Sequence, residues 1–282
     1  MAITCDFEYI KPQNLDEAIK LLLKHKEKAK ILAGGTDIIV YLKEDLINPD
    51  LVIDVKDIAD LNVITFSEEK VFIGAGVTFS EIIDSDLIKE KLPVLWQASG
   101  KVASIGIRNR ATLAGNICSA IPSLDSAPAL LIYEAKVIVR NSIGERIIPI
   151  SEWFKTPRKT ALKDDEIVIG ISIEFPKLKH AGTYRKLSRY EGEDLAQAGI
   201  GILALENQQY RIAFCAVGPI PQRSAKIENL LNGNKITDEL VQKAKKMIPN
   251  EISPITDIRS SKEYRTHMIQ VMFERGMKEV IG

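Results

Sequence analysis

Apolar and polar positions recur along this chain with two different periods, and the changes of period mark out its elements. Leu15, Ala18, Ile19, Leu22 and Leu23 stand at helical spacing behind Asn14, and Glu17, three residues after Asn14, completes a capping pair. A short apolar strand over 30–33 then runs straight into Gly34-Gly35-Thr36-Asp37, and a second apolar helical stretch follows at 38–42. The run Leu51-Val52-Ile53-Asp54-Val55 reads as a buried strand, so residues 1–56 predict a compact α/β lobe.

A second lobe is predicted over 57–176. It has a strand at 71–76, a helix capped by Thr78 and Glu81 that ends before Pro93, and a helical stretch at 94–110. A turn-rich loop at 112–128 with Gly115, Pro122 and Pro128 feeds a short helix at 129–134, and strands at 136–140 and 167–175 complete the lobe. The polar stretch from Pro176 to Gly182 is the expected domain boundary. Beyond it, 177–282 predicts an α+β domain. Its three strands lie at 183–187, 199–205 and 210–217, and its helices at 225–231, 237–247 and 262–280, the last capped by Ser260 and Glu263.

Composition narrows the function classes. The 282 residues carry 38 acidic and 38 basic side chains, so bulk charge favours neither nucleic acid nor a membrane surface as partner. No stretch approaches the roughly 20 apolar residues of a membrane span, and no targeting signal is visible. Cys5, Cys118 and Cys215 lie far apart, which fits a reducing cytoplasm and falls short of the four thiolates of an all-cysteine iron–sulfur cluster. His25, His180 and His267 have no ligand-like spacing, so no metal site is expected. Electron transfer by this chain would need an organic cofactor.

Two segments place small residues where a backbone must approach something closely. In Ala33-Gly34-Gly35-Thr36-Asp37, consecutive glycines permit positive φ, so successive N–H groups can converge on a phosphate, with the Thr36 hydroxyl and the following helix start adding to the site. A tight strand–helix turn without a ligand has the same pattern. In Thr112-Leu113-Ala114-Gly115-Asn116-Ile117-Cys118 a hydroxyl, a glycine and an amide lie together, and Asp125 follows with a carboxylate suited to sugar hydroxyls. Read alone, this segment is equally a plain loop. Cys118 reads as a small buried filler, and Trp96 and Trp153 as core or interface residues. Arg108 and Arg110 are surface salt-bridge residues, or partners of a phosphate or another chain.

The combination resembles a family. Ile31-Leu32-Ala33-Gly34-Gly35-Thr36-Asp37 is similar to the first FAD loop of the flavoprotein subunits of molybdenum hydroxylases. Ile107-Arg108-Asn109-Arg110-Ala111-Thr112-Leu113-Ala114-Gly115-Asn116 resembles their second loop, and Ser123-Leu124-Asp125-Ser126-Ala127-Pro128 its continuation. Asp165-Glu166-Ile167, Tyr184-Arg185-Lys186-Leu187-Ser188-Arg189 and Arg259-Ser260-Ser261-Lys262-Glu263-Tyr264-Arg265 follow in the family's order. The resemblance is strongest to FAD subunits of bacterial xanthine dehydrogenases and carbon monoxide dehydrogenase medium chains.

This resemblance implies a two-lobed FAD-binding domain of the vanillyl-alcohol-oxidase (PCMH) type over 1–176, followed by a smaller C-terminal flavoprotein domain over 177–282. It implies that 31–38, including Ile38, wraps the pyrophosphate of a non-covalent FAD. Thr112, Ala114, Gly115 and Asn116 hold its other side, Asp125 takes ribitol or ribose hydroxyls, and Lys186 lies near the isoalloxazine. Val102 and Ile169 are apolar contacts. It assigns no catalytic acid or base. It implies an iron–sulfur small subunit and a molybdopterin large subunit as partners, and NAD+ or another acceptor of the electrons. One departure stands out: Ala114 precedes Gly115 where the family has a second glycine, which is harmless provided its φ is negative. The competing readings are a stand-alone FAD oxidoreductase of the same fold and a non-redox assembly module that has lost flavin.

Overall fold

The computed structural model describes residues 3–190, 192 and 194–282. Three sheets follow one another along the chain. The first is parallel, with Leu51–Asp54 between Glu8–Ile10 and Ala29–Leu32. All four residues of the middle strand are buried, as a parallel strand covered on both faces requires. Helix Leu15–His25 packs against Ala29–Leu32 and Leu51–Asp54 with Leu15, Ala18, Ile19 and Leu22 buried. Its start is fixed by the Asn14 side chain, which accepts from the Glu17 amide at 2.9 Å, while the Glu17 carboxylate accepts from the Gln13 amide at 2.8 Å.

The second sheet is antiparallel, in the order Ile64–Phe66, Lys70–Gly74, Ile167–Glu174, Lys136–Arg140, Glu145–Pro149. Its central strand carries an irregularity: Val168 pairs with Val139 and Gly170 with Ile138, so Ile169 is the extra residue of a bulge. The third sheet runs His180–Leu187, Ala198–Leu205, Gln209–Cys215, with a two-residue fourth strand, Gln222–Arg223, beyond the three expected. Ala198–Leu205 is buried at every position because both faces of this sheet are covered. Helices Pro93–Gly100 and Ser126–Ile132 lie on one face, and Ala225–Leu231 and Lys262–Ile281 on the other.

Three expectations are corrected between 94 and 134. The helical stretch at 94–110 is two helices, Pro93–Gly100 and Ile105–Arg108, separated by a turn in which Ala103 has φ +39°. Arg108 holds that turn, its guanidinium donating to the carbonyls of Val102 (2.8 Å) and Ala103 (2.6 Å). Among the described residues it makes no salt bridge; its task here is to hold the turn. The loop expected at 112–128 contains helix Leu113–Ser119 and runs into helix Ser126–Ile132, which replaces the one expected at 129–134. Thr112 is the cap that Gly115 and Asn116 disguised: its hydroxyl accepts from the Gly115 amide at 2.9 Å. Pro128 lies in the first turn of its helix, where its missing N–H costs nothing. The last helix, Lys262–Ile281, is capped by Ser261 accepting from the Tyr264 amide at 3.2 Å, one residue later than expected.

The two N-terminal lobes meet backbone against backbone. A Cβ at Gly34 would stand 2.0 Å from the Arg110 carbonyl oxygen and 2.9 Å from the Ala111 Cα, so only a residue without a side chain fits there. The next residue, Gly35, has φ +84°. Gly34→Ala is expected to force the lobes apart and to destabilise the protein by about 1–3 kcal/mol in urea unfolding. Gly100→Ala, with nothing within 4 Å of its added Cβ, is expected to stay within about 0.5 kcal/mol of the parent. Equal stability of the two variants would contradict the close approach.

Candidate functional site

That contact opens a cavity of about 880 Å³ between the lobes, large enough for an extended organic cofactor. From the first segment Ile31, Ala33, Gly34, Gly35, Thr36, Asp37 and Ile38 line it. From the second lobe come Val102, Thr112, Ala114, Gly115, Asn116 and Asp125. Two loops 70-odd positions apart are thus walls of one cavity, because the Gly34–Arg110 contact brings them together.

The first loop supplies donors. Among the described residues, none accepts a hydrogen bond from the backbone N–H groups of Gly34, Gly35, Thr36, Asp37 or Ile38. Five successive amides of half-buried residues, without an acceptor among the described residues, can be completed by water or a bound anion. On the facing wall Ala114 is helical, outside the positive-φ residues, so its methyl group strains nothing. The Asn116 side-chain oxygen accepts from the Ser126 hydroxyl at 2.6 Å, tying the two helices of this wall together.

Leu32, Ile169 and Lys186 do not line the cavity. Leu32 is buried beneath the loop, its Cδ1 3.1 Å from where a Gly35 Cβ would be. Ile169 is the bulge residue, and Ile167 and Val168 form the wall. Strand alternation read from sequence cannot anticipate a bulge, which shifts every later side chain to the other face. Lys186 lies behind Asp125. Its ammonium donates to the Asp125 carboxylate at 2.9 Å and to the Lys101 carbonyl at 2.8 Å. Asp125 also accepts from the Tyr184 hydroxyl at 2.6 Å, and the side chains of the ion pair are each 6% exposed. Burial pushes the Asp125 carboxyl up to about 6, and the Lys186 ammonium holds it from going higher. Burial and the neighbouring Asp125 likewise push the Tyr184 hydroxyl well up. Asp125 thus joins the second lobe to strand His180–Leu187 of the C-terminal domain.

Other lining residues escaped the sequence reading. Arg158, Lys159 and Thr160 come from a small hairpin, Phe154–Thr156 with Lys159–Thr160, and Asp194 and Leu195 from the C-terminal domain. Pro157-Arg158-Lys159, a turn residue followed by two cations, was the available signal for the hairpin; Asp194 and Leu195 have none. Cys118 also lines the cavity, and burial pushes its thiol up to about 12, so it is no nucleophile. Trp153 is fully buried, its indole donating to the Ile117 carbonyl at 2.9 Å. Among the described residues, no three His, Cys, Asp or Glu side chains are gathered to hold a metal, and no helix is long and apolar enough to cross a membrane.

Comparison with known proteins agrees with this geometry. Residues 5–177 match the family model described as the FAD binding domain in molybdopterin dehydrogenase, and 182–280 match the CO dehydrogenase flavoprotein C-terminal domain. The xanthine dehydrogenase FAD-binding subunit of Escherichia coli O157:H7 is 30% identical over 280 residues, covering 97% of this chain and 96% of that one. The carbon monoxide dehydrogenase medium chain of Hydrogenophaga pseudoflava is 29% identical over 275 residues, 96% of either chain. A solved structure of carbon monoxide dehydrogenase from Hydrogenophaga pseudoflava superposes with a TM-score of 0.94 at 29% identity, covering 99% of this chain and 98% of that one. The chain belongs to the family of FAD-binding subunits of the molybdenum hydroxylases.

Proposed function

We propose that this chain carries FAD in the cavity between its two N-terminal lobes, without a covalent bond, and works as the electron-transfer subunit of a xanthine dehydrogenase-like complex. One observation carries the reading: two glycine-bearing segments converge on a single cavity, and one of them presents five amides with no acceptor among the described residues. That donor set fits a pyrophosphate, and a cavity of about 880 Å³ is large enough for a dinucleotide. In this reading residues 1–176 form the FAD-binding domain and 177–282 the C-terminal flavoprotein domain.

Each residue has a physical task. Gly34 to Ile38 offer backbone donors to the diphosphate. Thr112 holds the start of helix Leu113–Ser119, so that Gly115 and Asn116 present a small, polar wall to the other side of the dinucleotide. Val102, Ile167 and Val168 supply apolar surface that keeps water from the ring system. Asp125 is spoken for twice, by Tyr184 and Lys186, and faces sugar hydroxyls with whatever accepting capacity its oxygens retain. Lys186 acts through Asp125, keeping positive charge close to the cavity.

Bound flavin supplies one- and two-electron chemistry between iron–sulfur clusters on a small partner subunit and NAD+ or another acceptor. Molybdopterin belongs to a large partner subunit; the relatives' name of medium chain presupposes a smaller and a larger companion. The cytoplasm is the expected compartment.

The purified chain, or its complex, is expected to be yellow and to release intact FAD on acid denaturation. A colourless protein that takes up no added FAD would overturn the proposal. Asp125 generates a second prediction, on the flavin-free protein. Its carboxyl is raised from an ordinary 3.8 to about 6 on folding, so its protonation favours the folded state fully below about pH 4, and that contribution is lost as pH rises through 6. Asp125→Asn cannot titrate. The stability of the parent relative to this variant is therefore expected to fall by about 2 kcal/mol between pH 4 and pH 7. Parallel stability profiles for the two proteins would show that burial does not govern this carboxyl.

A further inference from the structure

Arg158 stands at the mouth of the cavity in a conformation that needs explaining. It occupies the tip of the hairpin between Phe154–Thr156 and Lys159–Thr160 with φ +62°, a region a residue with a Cβ adopts at a cost. The backbone is pinned there: the Arg158 amide donates to the Ala120 carbonyl at 2.9 Å, and Ala120, closing helix Leu113–Ser119, itself has φ +46°. Two strained non-glycine residues thus hold one another beside a ligand cavity. Such strain persists where the surroundings over-determine it, and ligand clamps are one such place.

The side chain then crosses from the second lobe to the first. Its guanidinium carbon stands 5.5 Å from the ring centroid of Tyr41, on helix Ile38–Lys43. Its charge also reaches Asp37, within the amide loop: burial raises the Asp37 carboxyl, and Arg158 draws it back down. The amides of Gly34 to Ile38 are neutral, and Asp37 adds a negative charge among them, so a diphosphate entering the loop needs a cation close by. Lys26, Lys30, Lys159 and Lys163 also line the cavity. Arg158 differs from them in being coupled both to Asp37 and to the adjoining Tyr41, and a guanidinium offers a flat fork matched to phosphate oxygens.

We propose that Arg158 is the cationic half of the phosphate grip, pairing with the diphosphate of FAD while the amides of Gly34 to Ile38 donate to it. The proposal rests on the reading that this cavity holds FAD. Arg158 leaves the Tyr41 face, or keeps it with one edge of the guanidinium, and offers its N–H groups to the phosphate oxygens.

The test is FAD titration of the full, flavin-free chain, for the parent, Arg158→Gly and Arg158→Lys, at low ionic strength and at about 1 M salt, where charges are screened within ~3 Å. Glycine adopts φ +62° without strain, so Arg158→Gly removes the cation and keeps the hairpin. The flavin-free melting temperature of each variant verifies that. At low salt Arg158→Gly is expected to bind FAD about tenfold or more weakly than the parent, with Arg158→Lys in between, and the gap is expected to shrink at high salt. A Kd for Arg158→Gly within twofold of the parent overturns the proposal, and so does a loss that salt leaves unchanged. A parent chain that binds no FAD at all would instead strike the cofactor reading itself.

Discussion

The site depends on one steric fact: the backbone at Gly34 lies directly on the backbone of Arg110 and Ala111. Nothing but hydrogen fits between them. The buried apolar residues of the two lobes form one continuous core behind this contact. Laid together at this point, the amide loop after strand Ala29–Leu32 and the small-residue helix Leu113–Ser119 become facing walls. The unpaired amides of the first and the polar Asn116 of the second then serve one ligand. The unmatched donors are a cost to the free protein that a bound diphosphate removes, which is how a binding loop stores affinity in its unliganded form.

The C-terminal domain is no separate appendage. Its sheet is sandwiched, with its own helices on one face and helices Pro93–Gly100 and Ser126–Ile132 of the second lobe on the other. Where sheet and lobe meet beside the cavity, Tyr184 and Lys186 converge on Asp125. A buried ion pair of this kind adds little net stability over apolar packing, but it fixes the relative position of the parts it joins. The cavity floor is therefore set from both domains.

The sequence alone revealed the first helix, the two glycine-bearing segments and the α+β character of the C-terminal domain, because these are local: capping residues, apolar spacing and Gly-Gly pairs act within a few positions. It misjudged 94–134, where Gly115, Asn116 and Pro128 look like turn formers but lie in short helices held by Thr112 and by tertiary packing. It gave no sign of the bulge at Ile169, since a bulge follows from pairing between distant strands. Lys186 and Asp125 were singled out separately, yet their mutual contact spans 61 positions and is visible only in three dimensions. The same holds for Arg158, whose importance lies in where the hairpin carries it. Local chemistry is legible in one dimension, whereas the convergence that makes a site is a property of the fold.

The most direct test of that convergence is amide hydrogen exchange on the full chain with and without FAD. The account predicts that FAD slows exchange in both segments at once, over 34–38 and over 113–116. Protection of one segment alone, or of neither, would contradict the claim that the two loops grip the same molecule.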